Sequence, residues 1–319
     1  MKLAVILNEA AGTLLGSPIA RAVAEIDRGF AAAGVSARVS AARGGAIERE
    51  IRAALASDVD AVVIGGGDGT VAAAAGLLLG TGKALGLLPL GTMNLLARDL
   101  GMPNTLPAAI RILAAGHTRA IDVAEVNGRV FLNNSVLGLY PTMVRARERQ
   151  RGVSGWHKWL AIASAVFKSL RYYNLAEVAV DLGQGPRPVR TPALAVVNNV
   201  YHDRPDASFL DRPALDEGRL AVYLANHRTR LGLIGLMIRL ALGGWQRDAE
   251  LESLTVTELT VTSPTRHRLR VAIDGEVVRL TPPLVYRIRP KALTVLAPAP
   301  APAPAAGTAR FRPSRACRP

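Results

Sequence analysis

The strongest constraint on the fold is a regular alternation over the first 116 residues. Residues 3–7, 35–39, 60–64 and 84–88 are short apolar runs that read as strands. Between them, residues 18–33, 46–56 and 71–79 have helical spacing. In the first of these, Ile19, Val23, Ile26 and Phe30 share one face, and Pro18 suits the first turn. Residues 92–100 and 106–115 continue as helices. Strands that are separated by helices form a mostly parallel, doubly wound sheet with helices on both faces.

The pattern changes after Gly116. Residues 121–126 and 130–134 flank Asn127-Gly128, a hairpin signal. Further strands are predicted at 178–182, 193–198, 220–224, 254–262, 269–273 and 277–280, with helices near 156–170 and 231–242. The expected organisation is an α/β domain over residues 1–120, a β-rich sandwich domain over 121–296, and a disordered Ala/Pro-rich basic tail over 297–319.

Composition narrows the class. The 319 residues are 50% hydrophobic, enough for a sizeable core. The net charge is +14, and 34 of the 39 cations are arginine. Such a balance points to an anionic partner, although the arginine bias itself also fits an Ala/Arg/Gly-rich composition. Aromatics are 4%, the arginines are scattered and no recognition motif is visible, so nucleic acid is not expected. Cys317 is the single cysteine, and the five histidines form no HExxH pair, so neither a thiolate cluster nor a zinc site is expected. The opening MKLAVILN has no small-residue cleavage site, and the longest uncharged stretch before the tail, 130–144, is too short and polar to span a bilayer. A cytoplasmic protein that touches a membrane peripherally is the expectation.

The chemistry is concentrated in loops. Gly65-Gly66-Gly67-Asp68-Gly69-Thr70 lies between a buried strand and a helix. Glycines let phosphate oxygens approach main-chain N–H groups, and the helix N-terminus favours negative charge. Asp68 in such a loop either caps the helix or holds Mg²⁺ or a ribose hydroxyl. The loop is neither a Walker A sequence nor a full GxGxxG fingerprint. Pro89-Leu90-Gly91-Thr92-Met93-Asn94 follows the next strand in the same way. Two such loops converge on one crevice at the carboxyl edge of the sheet and fit a nucleoside triphosphate. Far downstream, Ile273-Asp274-Gly275-Glu276 reads first as a hairpin turn.

GGGDGT at 65–70, PLGTMN at 89–94 with ARDLGMP at 97–103, and IDGE at 273–276 together resemble the diacylglycerol kinase catalytic-domain family. That family includes sphingosine and ceramide kinases and bacterial soluble lipid kinases, and is more distantly related to NAD kinases. The resemblance spans roughly residues 1–296. It implies an ATP- and Mg²⁺-dependent lipid kinase acting on a hydroxyl of diacylglycerol or a similar lipid. Asp68 would organise Mg²⁺–ATP, Gly66, Gly67, Gly69 and Gly91 would give backbone contacts, and Asn8, Thr70, Thr92 and Asn94 would line the nucleotide side. Glu276 would be the general base. Asp122 matches a supporting aspartate that Lys168 can pair with. Leu215-Asp216-Glu217-Gly218 matches a metal-holding Leu-Asp-Asp-Gly loop, with Glu217 in place of the second aspartate. Asn8-Glu9-Ala10-Ala11-Gly12 keeps the asparagine and glycine of the family's first loop but not its proline.

The mechanism needs positioning, charge neutralisation and a base, with the site in an interdomain cleft. For the lipid side, Arg145, Arg147, Arg149 and Arg151 before Trp156 and Trp159 suit an anionic membrane surface, as do the apolar segment 231–245 and the tail arginines. Alternatives are an NAD kinase-like small-molecule kinase, against which Leu95 follows Asn94 where a glutamate is expected, and a non-catalytic lipid- or nucleotide-binding protein. Homodimerisation is left open.

Overall fold

The computed structural model describes residues 1–12, 18–138, 175–202, 211–242 and 244–299. The first unit runs β1 (Lys2–Asn8), α1 (Ile19–Ala32), β2 (Ser36–Ala42), α2 (Gly45–Leu55), β3 (Ala61–Gly66), α3 (Asp68–Leu78), β4 (Ala84–Pro89), α4 (Leu95–Asp99) and α5 (Leu106–Ala115). The strands lie in the order β2-β1-β3-β4, all parallel. Every residue of β3 and β4 is buried, as continuous apolar runs in a two-faced parallel sheet must be. α1 packs with α5, and α2 with α3.

The second unit runs β5 (Thr118–Val126), β6 (Arg129–Phe131), β7 (Asn134–Gly138), β8 (Ala176–Asp181), β9 (Pro186–Thr191), β10 (Ala193–Asn198) and β11 (Leu220–Ala225). Helix α6 (Arg230–Leu242) and a 3-10 turn (Trp245–Arg247) follow, then β12 (Leu251–Val256), β13 (Glu258–Thr262), β14 (Leu269–Ile273), β15 (Glu276–Leu280) and β16 (Leu284–Leu296). β12-β11-β10-β7-β14-β15 form an antiparallel six-stranded sheet. Its inner face, with Leu194, Val196, Val222, Leu224 and Val271, packs on Val178, Val180, Leu259, Val261 and Tyr286 of the other sheet. An α/β domain followed by a β-sandwich is therefore the architecture.

Several elements differ from expectation. Residues 254–262 are two strands, because the inward positions shift from Leu254 and Val256 to Leu259 and Val261. That one-residue slip at Thr257 moves the chain from one sheet to the other. The predicted hairpin arm at 130–134 stops at Phe131, and Asn134 enters the six-stranded sheet instead. The prolines of β9 hid a strand that the sheet tolerates at its edge. Ala297, placed at the start of the tail, is buried and bonds the carbonyl of His117. The residues around Trp156–Trp159 and the basic run before them lie outside the described residues, as does the tail from residue 300.

β16 joins the two units. Its first half pairs with β13 and β5 in the sandwich. A register shift between Arg289 and Leu293 follows, and its second half pairs with β5 and, through Val295, with β4. Leu293, Val295 and Leu296 belong to the α/β core. One ten-stranded sheet, β2-β1-β3-β4-β16-β13-β8-β9 with β5 and β6 attached, thus runs through both units. A fragment ending at Val126 lacks this strand and bares the edge of β4. It is expected to show no cooperative thermal transition by circular dichroism, whereas the full chain does; a cooperative melt of the fragment would show that β16 is dispensable.

Candidate active site

The loops after β1, β3 and β4 meet at the carboxyl edge of the parallel sheet. Asn8 ends β1; its Nδ2 donates to Thr70 Oγ1 at 2.9 Å, and its Oδ1 accepts from the N–H of Ala10 at 2.9 Å. The turn expected over 65–70 is shorter than its sequence implies. β3 continues through Gly66 and α3 begins at Asp68, leaving Gly67 as the cap. A Cβ on Gly91 would lie 2.5 Å from the Cα of Gly67, and one on Gly12 would lie 3.1 Å from Thr92 Oγ1. The second and third loops thus touch backbone to backbone, which only glycine allows, and the first meets the Thr92 side chain.

Asn94 shapes the third loop. It has φ 47°, its Oδ1 accepts from the N–H of Gly91 at 2.8 Å, and its Nδ2 donates to the carbonyls of Gly91 and Pro89 at 2.9 and 3.2 Å. This left-handed residue delays the helix predicted from Thr92, so α4 starts at Leu95. Thr92 and Met93 stay exposed. Asp68 ties the second loop to the third: its Oδ1 accepts from the N–H of Leu95 at 2.7 Å. Burial pushes the Asp68 carboxyl above the usual aspartate range, and N–H groups at 94–96 partly hold it down.

The donor set suits Mg²⁺, which takes one or two protein carboxylates together with phosphate oxygens and water. Asp68 at the mouth of glycine loops, beside the first-turn N–H groups of α3, meets that need without a protein cage. Among the described residues no group of three or more His, Cys, Asp or Glu side chains comes together. Asp216 pairs with Arg119 at 2.9 Å, and Glu217 is exposed with its N–H held by Asn199 Oδ1 at 3.2 Å.

Glu276 begins β15, exposed, opposite Ile273 across the Asp274-Gly275 turn, whose φ values are 44° and 85°. The turn is more than a hairpin tip. Asp274 directs its carboxylate inward onto the N–H groups of Leu132, Asn133 and Asn134 at 2.8, 2.8 and 3.0 Å. This is why the 130–134 arm leaves its hairpin. Burial pushes the Asp274 carboxyl up to about 6 despite those bonds.

From there a buried polar chain leads to the glycine loops. Arg212, 1% exposed, donates through Nε and Nη2 to Asp99 Oδ2 at 2.8 and 2.6 Å. Its Nη1 bonds the carbonyls of Leu132 and Asn198 at 2.6 and 2.9 Å, and its Nη2 also bonds Asn133 Oδ1 at 2.7 Å. Asp99 ends α4, the helix that Asp68 caps. Burial drives the Asp99 carboxyl up, and the Arg212 charge opposes that rise. Asp122 is likewise structural. Its fully buried carboxylate accepts from the N–H groups of Gly218 and Lys291 at 2.6 and 2.7 Å. It fixes the 215–218 loop and the register shift of β16; Lys168, expected to pair with it, lies outside the described residues.

Arg212, Asp99 and Asp274 carry this assembly and were not singled out from the sequence. Asp99 and Asp274 lie inside the quoted motifs, but Arg212 sits in an aperiodic polar stretch with no local signal.

Glycine loops at the end of a parallel sheet are thus linked, through Asp99, Arg212 and Asp274, to the sandwich hairpin that carries Glu276. Residues 2–126 match the diacylglycerol kinase catalytic domain, and residues 144–297 match the YegS C-terminal NAD kinase beta sandwich-like domain. The chain belongs to this lipid kinase family. "Probable lipid kinase YegS-like" of Klebsiella pneumoniae is 38% identical over 112 residues, 34% of this chain and 37% of that one. "Uncharacterized protein sll0036" of Synechocystis is 27% identical over 249 residues, 74% of this chain and 54% of that one. The match thus spans about half or less of these relatives' own lengths. Crystal structures from Bacillus anthracis share the fold. One, of a diacylglycerol kinase, has a TM-score of 0.67 at 19% identity over 93% of this chain and 96% of that one. A second from that organism reaches 0.73 at 21% over the same shares.

Arg212→Met strands a buried carboxylate and three acceptors. It is expected to lower unfolding free energy by about 3–5 kcal/mol in urea titrations, with little recovery in Arg212→Lys, whose point charge cannot span four partners. A midpoint unchanged by either substitution would remove Arg212 from its central place. Gly91→Ala forces the second and third loops apart. Calorimetric titration is expected to show ATP affinity reduced about tenfold or more, with the melting temperature little changed.

Proposed function

We propose that the protein is an ATP- and Mg²⁺-dependent lipid kinase that phosphorylates a hydroxyl of diacylglycerol or a similar lipid. The observation that carries this reading is the convergence of three glycine-bearing loops on Asp68, at the carboxyl ends of β1, β3 and β4. Phosphoryl transfer asks little covalent chemistry of a protein. The loop N–H groups bind and orient the phosphates, and Asp68 is the carboxylate that holds the cation. When bound, Mg²⁺ supplies charge neutralisation at the phosphate oxygens.

Glu276 is the residue assigned to take the proton from the lipid hydroxyl as that oxygen attacks. Its exposure leaves it open to substrate, and Asp274 beside it anchors the turn on which it rides. A base carried by the sandwich, facing phosphates held by the other domain, accounts for the need for two domains. The polar chain through Arg212 keeps the two in register.

The test is incubation of the full chain with labelled ATP, Mg²⁺ and a total lipid extract, with NAD in a parallel reaction. Label in a lipid is expected; label in NAD alone would place the protein with small-molecule kinases. Glu276→Gln is expected to lower kcat by about a hundredfold or more while ATP binding is retained. Turnover equal to that of the parent would remove Glu276 as the base.

A further inference from the structure

Helix α6, with the sequence RLGLIGLMIRLAL, is apolar apart from Arg230 and Arg239, and among the described residues only one side is covered. Leu233, Leu236 and the partly buried Leu240 pack on Ala193, Ala225 and Leu251, on the outer face of the six-stranded sheet. The other side leaves Leu231 80% and Ile238 53% exposed, with Ile234 between them. A helix that is hydrophobic all round belongs inside a core or against lipid. This one lies at the protein surface.

The charges around it point to what it meets. Arg228 and Arg230 are exposed at the start of α6. The helix dipole is already positive there, so they oppose helix stability rather than add to it. Strand register extends the pattern across the sheet. Leu251, Ala225, Ala193 and Gly138 form one row, and the β7–β14 register continues that row to Arg270, which lies directly opposite Arg279. Both arginines are exposed, on the same face as α6. Like charges directly opposite one another on adjacent strands repel. Among the described residues none of these four arginines has an ion-pair partner. Among the described residues the face therefore joins an exposed apolar ridge to four arginines outside any ion pair, with Glu250 the acid beside the first turn of α6.

We propose that this outer face seats the protein on an anionic membrane. Leu231, Ile234 and Ile238 enter the headgroup boundary while Arg228, Arg230, Arg270 and Arg279 engage acidic headgroups. The apolar ridge favours a bilayer over a nucleic acid, which offers such a ridge nothing to bury against. The choice of a lipid surface also rests on the lipid kinase reading, whose substrate resides there. No helix among the described residues is long and apolar enough to cross a membrane, so the contact is one of lying on the surface.

The experiment is cosedimentation of the full chain with vesicles of phosphatidylcholine alone and with added phosphatidylglycerol. Duplex DNA binding and kinase activity on detergent-dispersed short-chain diacylglycerol are measured in parallel. Two variants are compared, Arg228→Glu with Arg230→Glu, and Leu231→Ser with Ile238→Ser, each checked for an unchanged melting temperature. The parent is expected to sediment with the anionic vesicles only, less at high salt. Each variant is expected to bind about tenfold more weakly or worse while keeping its activity on dispersed lipid. Sedimentation of either variant equal to the parent's would overturn the proposal, and so would binding to DNA but not to vesicles. Salt-sensitive vesicle binding without phosphorylation of any lipid would overturn the kinase reading and leave the docking face standing.

Discussion

The two halves of the molecule are held in register by a buried arginine. Arg212 uses all five of its N–H donors, on Asp99 at the end of α4, on Leu132 and Asn133 between β6 and β7, and on Asn198 at the end of β10. A guanidinium buried this deeply is tolerable only because each donor finds an acceptor and the charge finds a carboxylate. What this fixes is relative position. α4 hangs from the glycine loops through Asp68, and residues 132–134 hang from the hairpin of Glu276 through Asp274. Arg212 sits between them, so both groups assigned to catalysis are referenced to one planar cation.

Around that hub the polar groups act mainly on the backbone. Asp274 holds three N–H groups, Asp122 holds two, Asn94 closes its own loop, and Asn198 donates to the carbonyls of Asp122 and Leu132. Residues of types that sequence motifs associate with catalysis are here used to set loop shape. Asp68 does both: it caps α4 through one oxygen while lying at the loop convergence. Burial raises its carboxyl, so a cation at this position would meet a group that gains by ionising beside it.

Much of this was legible in advance. Apolar runs at 3–7, 60–64 and 84–88 alternating with helical spacing mark strands buried on both faces, which is why β1, β3 and β4 fall where the pattern puts them. The glycine loops were legible because only glycine fits where an added Cβ, as on Gly91, would stand 2.5 Å from the Cα of Gly67. β9 was masked by its prolines. β16 was missed because Pro290 and its register shift interrupt the alternation, and no local pattern says that one strand will serve two domains.

The sequence by itself determined the class of each half, the order of the elements and the glycine loops at the carboxyl edge of the parallel sheet. These follow from residue period and from glycine, which act over a few positions. Only the tertiary structure decided that Asp122 holds backbone, that Asp216 is spent on Arg119, and that Arg212 joins the domains. The reason is physical: a buried charge is specified by the acceptors surrounding it, and for Arg212 these come from residues 14 to 113 positions away in the chain. The covered and bare sides of α6 were undecided in the same way. Apart from Arg230 and Arg239 its sequence is apolar, and packing on Ala193, Ala225 and Leu251 chose which side meets the protein.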